Sequence, residues 1–432
     1  MSRFVPSFFL APVFTLMSVA APAAEPITIW WAQWAPADGL QQLGDAYAKA
    51  TGTSVKVHQI PWGSFQDQVF LNFGNATTTF DIVVGDSQWL GRGATKGLYL
   101  DLTSWLPGAV DLAGIKPQAL TNLCEYPAGS KKYFAAPCET DAIGLAYRAD
   151  WFADQVEQAA FKEKFKRPLA VPQTWDELAQ VAEFFQRPEK NRYGNAQLTG
   201  RGYDAMAMGF QQILWSYGGS WGNASTYAVH GSLDTPAAVQ SLEFFRKLTS
   251  FGPKGATNLD YGQVLDVFTN GSTAMSCTYF AFFPTIAKQM GSKAGFAVMP
   301  SKDSKRSISL GGQGFSISTK VPAARQEAAK KFIAWFNTPE VQKQWITKEA
   351  GFTANTAILA SPEFRAAAPY NAAFADSLND VRDFWNVPVY NELLASAVKH
   401  LGEALDGADA QKSLSAIATE HEAIFEDAGL KK

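Results

Sequence analysis

The chain has 432 residues, 37 of them Lys or Arg and 40 of them Asp or Glu, which gives a net charge of −3. This mild negative balance lacks the basic stripe of a nucleic-acid-binding protein and argues against nucleic acid as a partner. The length exceeds what one hydrophobic core usually organises, so we expect two domains. With only four His and no Cys-x-x-Cys motif, the sequence predicts neither a zinc site nor a cofactor.

The first residues have the pattern of a cleaved secretory signal peptide, which we assign to residues 1–23. Arg3 is followed by a short apolar run that leads into the small-residue sequence Ala21-Pro22-Ala23. Pro6 and Pro12 interrupt that run, which is shorter than the ~20 apolar residues of a membrane span. No cysteine lies near the cleavage site, so we expect a freely diffusing exported protein without a lipid anchor.

The first part of the mature chain alternates between strand and helix patterns. Apolar or alternating runs predict strands at 27–31, 54–60 and 80–84, and apolar residues at helical spacing predict helices at 40–50 and 65–73. Gly52 ends the first of these helices. The order β-α-β-α-β predicts a parallel sheet covered by helices.

The α/β pattern continues to the end of the chain. Strands are predicted at 142–147, 273–277, 295–299 and 314–318, and a helical stretch at 390–425. Helix starts are predicted at Thr174 as a capping box with Glu177, at Thr235-Pro236 and Thr338-Pro339, and at Val321-Pro322. No long linker separates the two expected domains, so short crossings must join them.

Three cysteines are present, and an exported protein can pair them. Cys124 and Cys138 flank a turn and could close a short disulfide loop, an alternative that the sequence leaves open. Cys277 lies in an apolar stretch and is predicted to be a buried free thiol.

Aromatic and hydrogen-bonding residues follow each of the first three predicted strands. Gln33 and Trp34 follow the first strand, Trp62 follows the second, and Asp86-Ser87-Gln88 follows the third. In an open parallel sheet, ligands bind beyond the carboxyl ends of the strands. Aromatic faces suit the C–H faces of a sugar, and carboxylate and amide groups suit its hydroxyls. The residues that follow these three strands therefore predict a ligand site.

Several segments, in order and spacing, resemble the extracellular solute-binding proteins of bacterial ABC importers, in particular the carbohydrate- and polyol-binding cluster that includes maltose-binding protein. The resemblance covers essentially the whole mature chain. It rests on segments at 27–30, 80–84, 133–137, 141–148, 172–178, 270–275, 295–300 and 328–336.

The resemblance implies an α/β fold of two lobes, each with a mixed, mostly parallel sheet flanked by helices, and a ligand cleft between them. The first lobe would comprise 24–138 with 301–353, and the second 139–300 with 354–432. Carried over by position, the family's ligand-binding residues are Gln33, Trp34, Trp62, Asp86, Ser87, Gln88, Asp141, Tyr203, Asp204, Trp221, Tyr279, Phe280, Gly312, Gln313 and Trp385.

The resemblance also implies a function. It predicts a monomeric, non-enzymatic periplasmic protein that captures a small carbohydrate or polyol by closing its lobes and delivers it to the permease subunits of an ABC importer. The sequence departs from maltose-binding protein after the first strand, where Gln33-Trp34-Ala35 replaces acidic and basic side chains. The pocket floor should therefore be more aromatic, and a sugar, a polyol or a small alcohol all remain candidate ligands.

Parts of the sequence are compatible with three other functions. Gly218-Gly-Ser220-Trp-Gly222 matches the Gly-x-Ser-x-Gly motif of hydrolases, but the segment before it looks helical rather than like the strand that a nucleophile elbow needs. Asp86 and Asp141 could form the paired carboxylates of a glycosidase, although binding sugar hydroxyls is the simpler role. A periplasmic ligand sensor has the same sequence pattern as an importer subunit.

Overall fold

The computed structural model describes residue 1, residues 25–348 and residues 351–431. Apart from residue 1, the predicted signal peptide lies outside the described residues. Among the described helices, none combines the length and apolar character needed to cross a membrane.

The described strands form one continuous, twisted ladder with the order β2-β1-β3-β8-β4-β6-β5. β1 pairs in parallel with β2 and β3, as the β-α-β-α-β order predicts, whereas β8 and β4 run antiparallel to their neighbours in the ladder. β7 pairs with β4, and β9 pairs with β8. The strands are β1 (Ile27–Ala32), β2 (Val55–Ile60), β3 (Ile82–Asp86), β4 (Ala136–Arg148), β5 (Tyr193–Ala196), β6 (Thr273–Tyr279), β7 (Ala294–Ala297), β8 (Ile308–Ile317) and β9 (Val381–Arg382).

Helices cover this ladder and complete the two lobes. They are α1 (Ala35–Thr51), α2 (Trp62–Asn72), α3 (Leu90–Thr95), α4 (Leu106–Ala109), α5 (Pro117–Leu123), α6 (Ala149–Ala153), α7 (Gln155–Phe165), α8 (Trp175–Phe185), α9 (Ala205–Tyr217), α10 (Pro236–Thr249), α11 (Tyr261–Thr269), α12 (Phe283–Met290), α13 (Ala323–Phe336), α14 (Pro339–Trp345), α15 (Thr356–Ala360), α16 (Pro362–Ala367), α17 (Asn371–Ser377), α18 (Tyr390–Leu405) and α19 (Ala410–Asp427). Gly52 ends α1 in the left-handed conformation, as predicted.

Two strands connect the lobes. The first part of β4 pairs with β8, from Ala136 to Ala142, and its second part pairs with β6, from Ile143 to Tyr147. β4 is therefore a single strand that serves both lobes. The predicted boundary at 138/139 falls inside β4, and the division of the chain into lobes at the predicted residues stays a prediction.

β4 and β8 are longer than the sequence pattern predicts. The prediction starts them at 142 and 314, whereas they begin at Ala136 and Ile308. The missed parts contain Pro137, Glu139 and a run of glycines, which disfavour strands locally. Pairing between two central strands outweighs those local preferences because each backbone group finds a partner in the ladder.

The predicted helix starts differ in how they are capped. The Thr235 hydroxyl accepts from the amide of Ala238, as predicted for an N-cap. The Thr174 hydroxyl accepts from the amide of Glu177, but the Glu177 carboxylate accepts from Gln173 instead of Thr174, so the capping box is not reciprocal.

Thr338 begins its helix without a side-chain cap, because its hydroxyl donates to the carbonyl of Trp335 at 2.8 Å. A full capping box forms instead at Asp260 and Gln263, ahead of α11, and the sequence reading did not identify it.

All three cysteines are buried free thiols. The disulfide left open for Cys124 and Cys138 is not formed, although both side chains border the same small internal cavity. Burial raises the pKa of the Cys277 thiol to about 12, and of the other two thiols as well, which keeps all three protonated and poorly reactive.

Candidate functional site

A cavity of about 240 Å³ lies where the first three strands end and the second lobe meets them. Its position at the carboxyl ends of β1, β2 and β3 is the one that an open parallel sheet favours for a ligand. It is smaller than the ~300–1,000 Å³ of sites for drug-sized molecules, so its capacity suits a ligand of monosaccharide size. Its lining residues are Ala32, Gln33, Trp34, Trp62, Asp86, Gln88, Asp141, Asp204, Met208, Tyr261, Gly262, Tyr279, Phe282, Leu310, Gly311, Gly312 and Gln313.

The first lobe contributes an aromatic wall. Trp34 precedes the first turn of α1, and Trp62 is the first residue of α2. The Trp62 ring stacks between two other indoles, with centroids 6.4 Å from Trp34 and 6.0 Å from Trp89. Each ring of the wall therefore packs against a neighbouring ring.

The second lobe faces this wall with further rings and a carboxylate. Asp204 precedes α9, and its Oδ1 accepts a hydrogen bond from Trp62 Nε1 across the cleft at 3.3 Å. Tyr261 begins α11 and stacks on Phe282, with ring centroids 6.0 Å apart and planes at 10°. The cavity is therefore walled by rings from both lobes.

The crossing strands form the floor. Asp141 lies on β4, with Oδ1 accepting from the amide of Ala142 at 2.7 Å and Oδ2 from the amide of Ala281 at 3.1 Å. Gly312 of β8 has φ of 102°, and a Cβ there would lie 2.6 Å from Glu139 O and from Thr140 Cα. The glycine at 312 thus permits the close approach of the two crossing strands.

Ten of the fifteen predicted ligand-binding residues line this cavity, and five do not. Ser87 turns back to hydrogen-bond the Asp86 carboxylate. The Tyr203 hydroxyl lies behind the wall, against Trp89 Nε1 and the Tyr390 hydroxyl. The remaining three, Trp221, Phe280 and Trp385, pack in the second-lobe core against Phe384, Phe374 and Phe425.

The sequence reading missed seven lining residues. The structure explains why Phe282 reaches the cavity: the turn after β6 is a 3₁₀ helix, and residues three apart in such a helix share one side. This geometry brings Tyr279 and Phe282 to the cavity and directs Phe280 into the core. The others are Ala32, Met208, Tyr261, Gly262, Leu310 and Gly311.

Burial raises the pKa of each carboxyl that lines the cavity. It raises the pKa of Asp86 well above its usual range, and the nearby charges of Asp204 and Asp383 add to the effect. It raises the pKa of Asp141 to about 8, although backbone amides that donate to this carboxylate oppose the shift. It raises the pKa of Asp204 to about 6, against hydrogen bonds from Trp62 and Tyr261.

Glu139 is a buried acid on β4, directly behind the cavity floor. Neither of its carboxyl oxygens has a hydrogen-bond partner within the described part of the chain. Burial, followed by the charges of Asp141 and Asp86, raises the pKa of Glu139 well above its usual range. The folded protein therefore holds this proton at pH values where the unfolded chain has lost it.

Glu139→Gln is expected to make the protein more stable at neutral pH and no more stable near pH 4. Above an unfolded-state pKa of about 4.3, the raised folded-state pKa costs the wild type about 1.4 kcal/mol for each pH unit until the folded pKa is reached. Urea unfolding of both proteins from pH 4 to 8 measures the divergence. Glu163→Gln, at an exposed position of α7, is the control and should follow the wild type. If the free energies of unfolding of Glu139→Gln and the wild type changed in parallel with pH, the raised pKa of Glu139 would be contradicted.

The geometry around Ser220 does not resemble a nucleophile elbow. Ser220 follows the helix α9 and the left-handed Gly218, as the sequence predicts, whereas an elbow requires a strand before the serine. His230 contacts Asp234 and Thr419, and His421 contacts the carbonyl of Leu393. Within the described ranges, no group of three His, Cys, Asp or Glu residues is placed to hold a metal ion.

The architecture and its cleft define a two-lobed ligand-binding protein. A family model described as bacterial extracellular solute-binding protein matches residues 31–343. The chain therefore belongs to the bacterial extracellular solute-binding protein family, as the resemblance of its sequence segments predicts, and its two-lobed fold is that of the periplasmic binding proteins.

Comparisons with individual proteins agree with this assignment. A probable amino-acid ABC transporter periplasmic-binding protein of Sinorhizobium fredii is 23% identical over 370 residues, which cover 82% of this chain and 80% of the relative. An ABC transporter solute-binding protein of Agrobacterium radiobacter K84, solved with ribitol, has a TM-score of 0.78 at 24% identity and covers 93% of this chain and 100% of its own. A solute-binding protein of Agrobacterium vitis S4, solved with D-mannitol, has a TM-score of 0.76 at 20% identity over 94% and 99%.

Proposed function

We propose that this protein is the periplasmic substrate-binding component of an ABC importer and that it captures a monosaccharide-sized sugar or polyol between its lobes. The observation that carries the proposal is the single cavity wall built from both lobes, with aromatic rings and buried carboxyl groups facing the same 240 Å³ space. Rings and fixed hydrogen-bonding groups are the combination that binds sugars and polyols. The relatives solved with ribitol and D-mannitol support this ligand class.

Lobe closure is the proposed working step. Trp62 and Asp204 meet across the cleft, and Gln33 and Tyr279 approach the same cavity from opposite lobes. A ligand that contacts both lobes satisfies its two sets of contacts only in the closed state, so it shifts the population toward that state. The permease subunits of the importer would then recognise the closed form. Neither role requires the protein to catalyse a reaction.

The test of the ligand class is thermal unfolding of the mature protein against a panel of sugars, polyols and amino acids. A ligand at 100 times its dissociation constant is expected to add about 2.7 kcal/mol of apparent stability, and we expect a sugar or polyol to do so. Amino acids are the informative comparison because the Sinorhizobium fredii relative is described as a probable amino-acid binder. A shift with an amino acid and none with any sugar or polyol would overturn the proposed ligand class.

A further inference from the structure

The charged groups that line the cavity all have the same sign. Asp86 comes from the end of β3, Asp141 from β4 and Asp204 from the start of α9, and each of these residues is at most 6% exposed. Among the described residues that line the cavity there is no Lys, Arg or His. Three carboxyl groups from three separate elements thus converge without a protein cation to balance them.

Such an arrangement is unfavourable for carboxyl groups that are almost fully buried. A buried carboxylate without a partner cation either keeps its proton or requires a cation from elsewhere. Burial is the main cause of the raised pKa values of all three groups, and for Asp86 the charges of Asp204 and Asp383 add to it. The charges of these carboxylates in turn raise the pKa values of neighbouring acids and phenols, namely Glu139, Tyr99, Tyr203, Tyr261, Tyr279 and Tyr390.

Aromatic rings surround the three carboxyl groups. Five rings line the cavity, two from the first lobe and three from the second. The face of an aromatic ring attracts a cation, and the attraction is stronger where water is excluded. The rings are Trp34, Trp62, Tyr261, Tyr279 and Phe282.

A separate observation indicates that the ligand donates hydrogen bonds. Gln88 lines the cavity, is only 2% exposed, and its Oε1 has no hydrogen-bond partner within the described ranges. Its Nε2 lies 3.5 Å from Asp383 Oδ1 and 3.6 Å from Met208 Sδ, which leaves the carbonyl oxygen as the free acceptor. An unpaired buried acceptor is costly, so a donor from the ligand is expected there.

We infer that the preferred ligand is a positively charged polyol or sugar, in which an ammonium group occupies the carboxyl-lined part of the cavity and hydroxyl groups occupy the rest. This inference rests on the proposed function and narrows its ligand class. An ammonium group balances the charge of one carboxylate, donates to acceptors such as Gln88 Oε1, and lies against the rings. A neutral polyol provides the hydroxyl contacts but leaves the acids unbalanced.

The test compares pairs of ligands that differ only at one terminal group. Sorbitol is paired with 1-amino-1-deoxysorbitol and mannitol with 1-amino-1-deoxymannitol, and binding is measured by isothermal titration calorimetry. At pH 7.5 the amine of at least one pair is expected to bind about tenfold more tightly than its neutral partner, or better.

The preference for the amine over the neutral polyol should change with pH in one direction. Asp204, with a pKa of about 6, and Asp141, with a pKa of about 8, lose their protons as the pH rises, whereas an alkyl ammonium group with a pKa near 10 stays charged throughout. The preference for the amine is therefore expected to grow from pH 5.5 to pH 7.5. Binding of the amine should also release protons, which is measured by repeating the titration in buffers of different ionisation enthalpy.

Asp86→Asn keeps the shape of the side chain but cannot become a carboxylate when the amine binds, so it should lower the ratio of amine to polyol affinity. Asp67→Asn, at an exposed position of α2, is the matched control and should leave that ratio unchanged. Equal or tighter binding of the neutral polyols at pH 7.5 would overturn the inference and leave the proposed function in place. If no sugar, polyol or amino polyol binds at all, the proposed function itself fails.

Discussion

Replacing Arg325 with alanine is expected to lower the free energy of unfolding by about 3–5 kcal/mol. Arg325 lies on α13 and forms a two-pronged ion pair with Asp81, with Nε–Oδ1 at 2.6 Å and Nη2–Oδ2 at 2.5 Å. The Asp81 side chain is only 2% exposed and also accepts from the amide of Thr28 on β1. Removal of the guanidinium leaves a buried carboxylate without its cation at the junction of β1, β3 and α13.

Two further variants separate this cause from a general loss of packing. Arg365→Ala removes a similar pair with Asp376, but both partners are about a third or more exposed, so the loss should stay below about 1 kcal/mol. Adding Asp81→Asn to Arg325→Ala should recover part of the loss, because the stranded charge is then gone. Urea unfolding measures the free energy of unfolding of all three variants, provided that the slope of this free energy against urea concentration is the same for each. If Arg325→Ala and Arg365→Ala lowered the free energy of unfolding equally, the burial of the Asp81 carboxylate would not be the cause.

Trp62→Ala is expected to weaken the binding of the tightest ligand of the panel by about 2–4 kcal/mol, or roughly 30- to 800-fold. The substitution removes the central ring of the stack that Trp62 forms with Trp34 and Trp89. It also removes the hydrogen bond that Trp62 Nε1 donates to Asp204 across the cleft. Both losses act in the same direction, since the first takes away ligand contact and the second weakens closure. Calorimetric titration measures the affinity.

Trp105→Ala is the control for the loss of a large ring. Trp105 is half-buried in the same lobe, beside the ammonium of Lys330, and does not line the cavity. It should leave the affinity unchanged. Trp62→Phe keeps a ring but not the N–H donor. An intermediate affinity would separate the contribution of the ring from that of the hydrogen bond to Asp204. Binding by Trp62→Ala within about threefold of the wild type would remove Trp62 from the site.

The sequence predicts the first-lobe half of the site better than the second-lobe half. Trp34, Trp62 and Asp86 follow strands whose carboxyl ends must meet at one edge of a parallel sheet, so their proximity follows from the strand order alone. Tyr261 and Met208 lie at the start and within the first turns of helices. Whether such residues reach the cleft depends on how those helices pack, which no local pattern encodes.

A similar limit applies to Trp221, which packs in the second-lobe core. Trp221 is aromatic and polar at one edge, as ligand-binding residues often are, but its Nε1 donates to Gln211 Oε1 inside the core at 3.1 Å. A core that satisfies the indole N–H removes the reason for the ring to face a ligand. The length of β4 and β8 was missed for a related reason, because pairing between the two strands is a property of the assembled sheet.

The position of the cavity floor on the two crossing strands has a mechanical consequence. In any rotation of one lobe against the other about β4 and β8, residues on the axis travel least and residues at the rim travel farthest. Asp141 and Gln313 lie on those strands, whereas Trp62 and Asp204 lie on either side of the opening. In the proposed lobe closure, an arriving ligand would therefore meet Asp141 and Gln313 in nearly their final positions. Its release would require the separation of Trp62 from Asp204, so the rates of capture and release would depend on different residues of the candidate site.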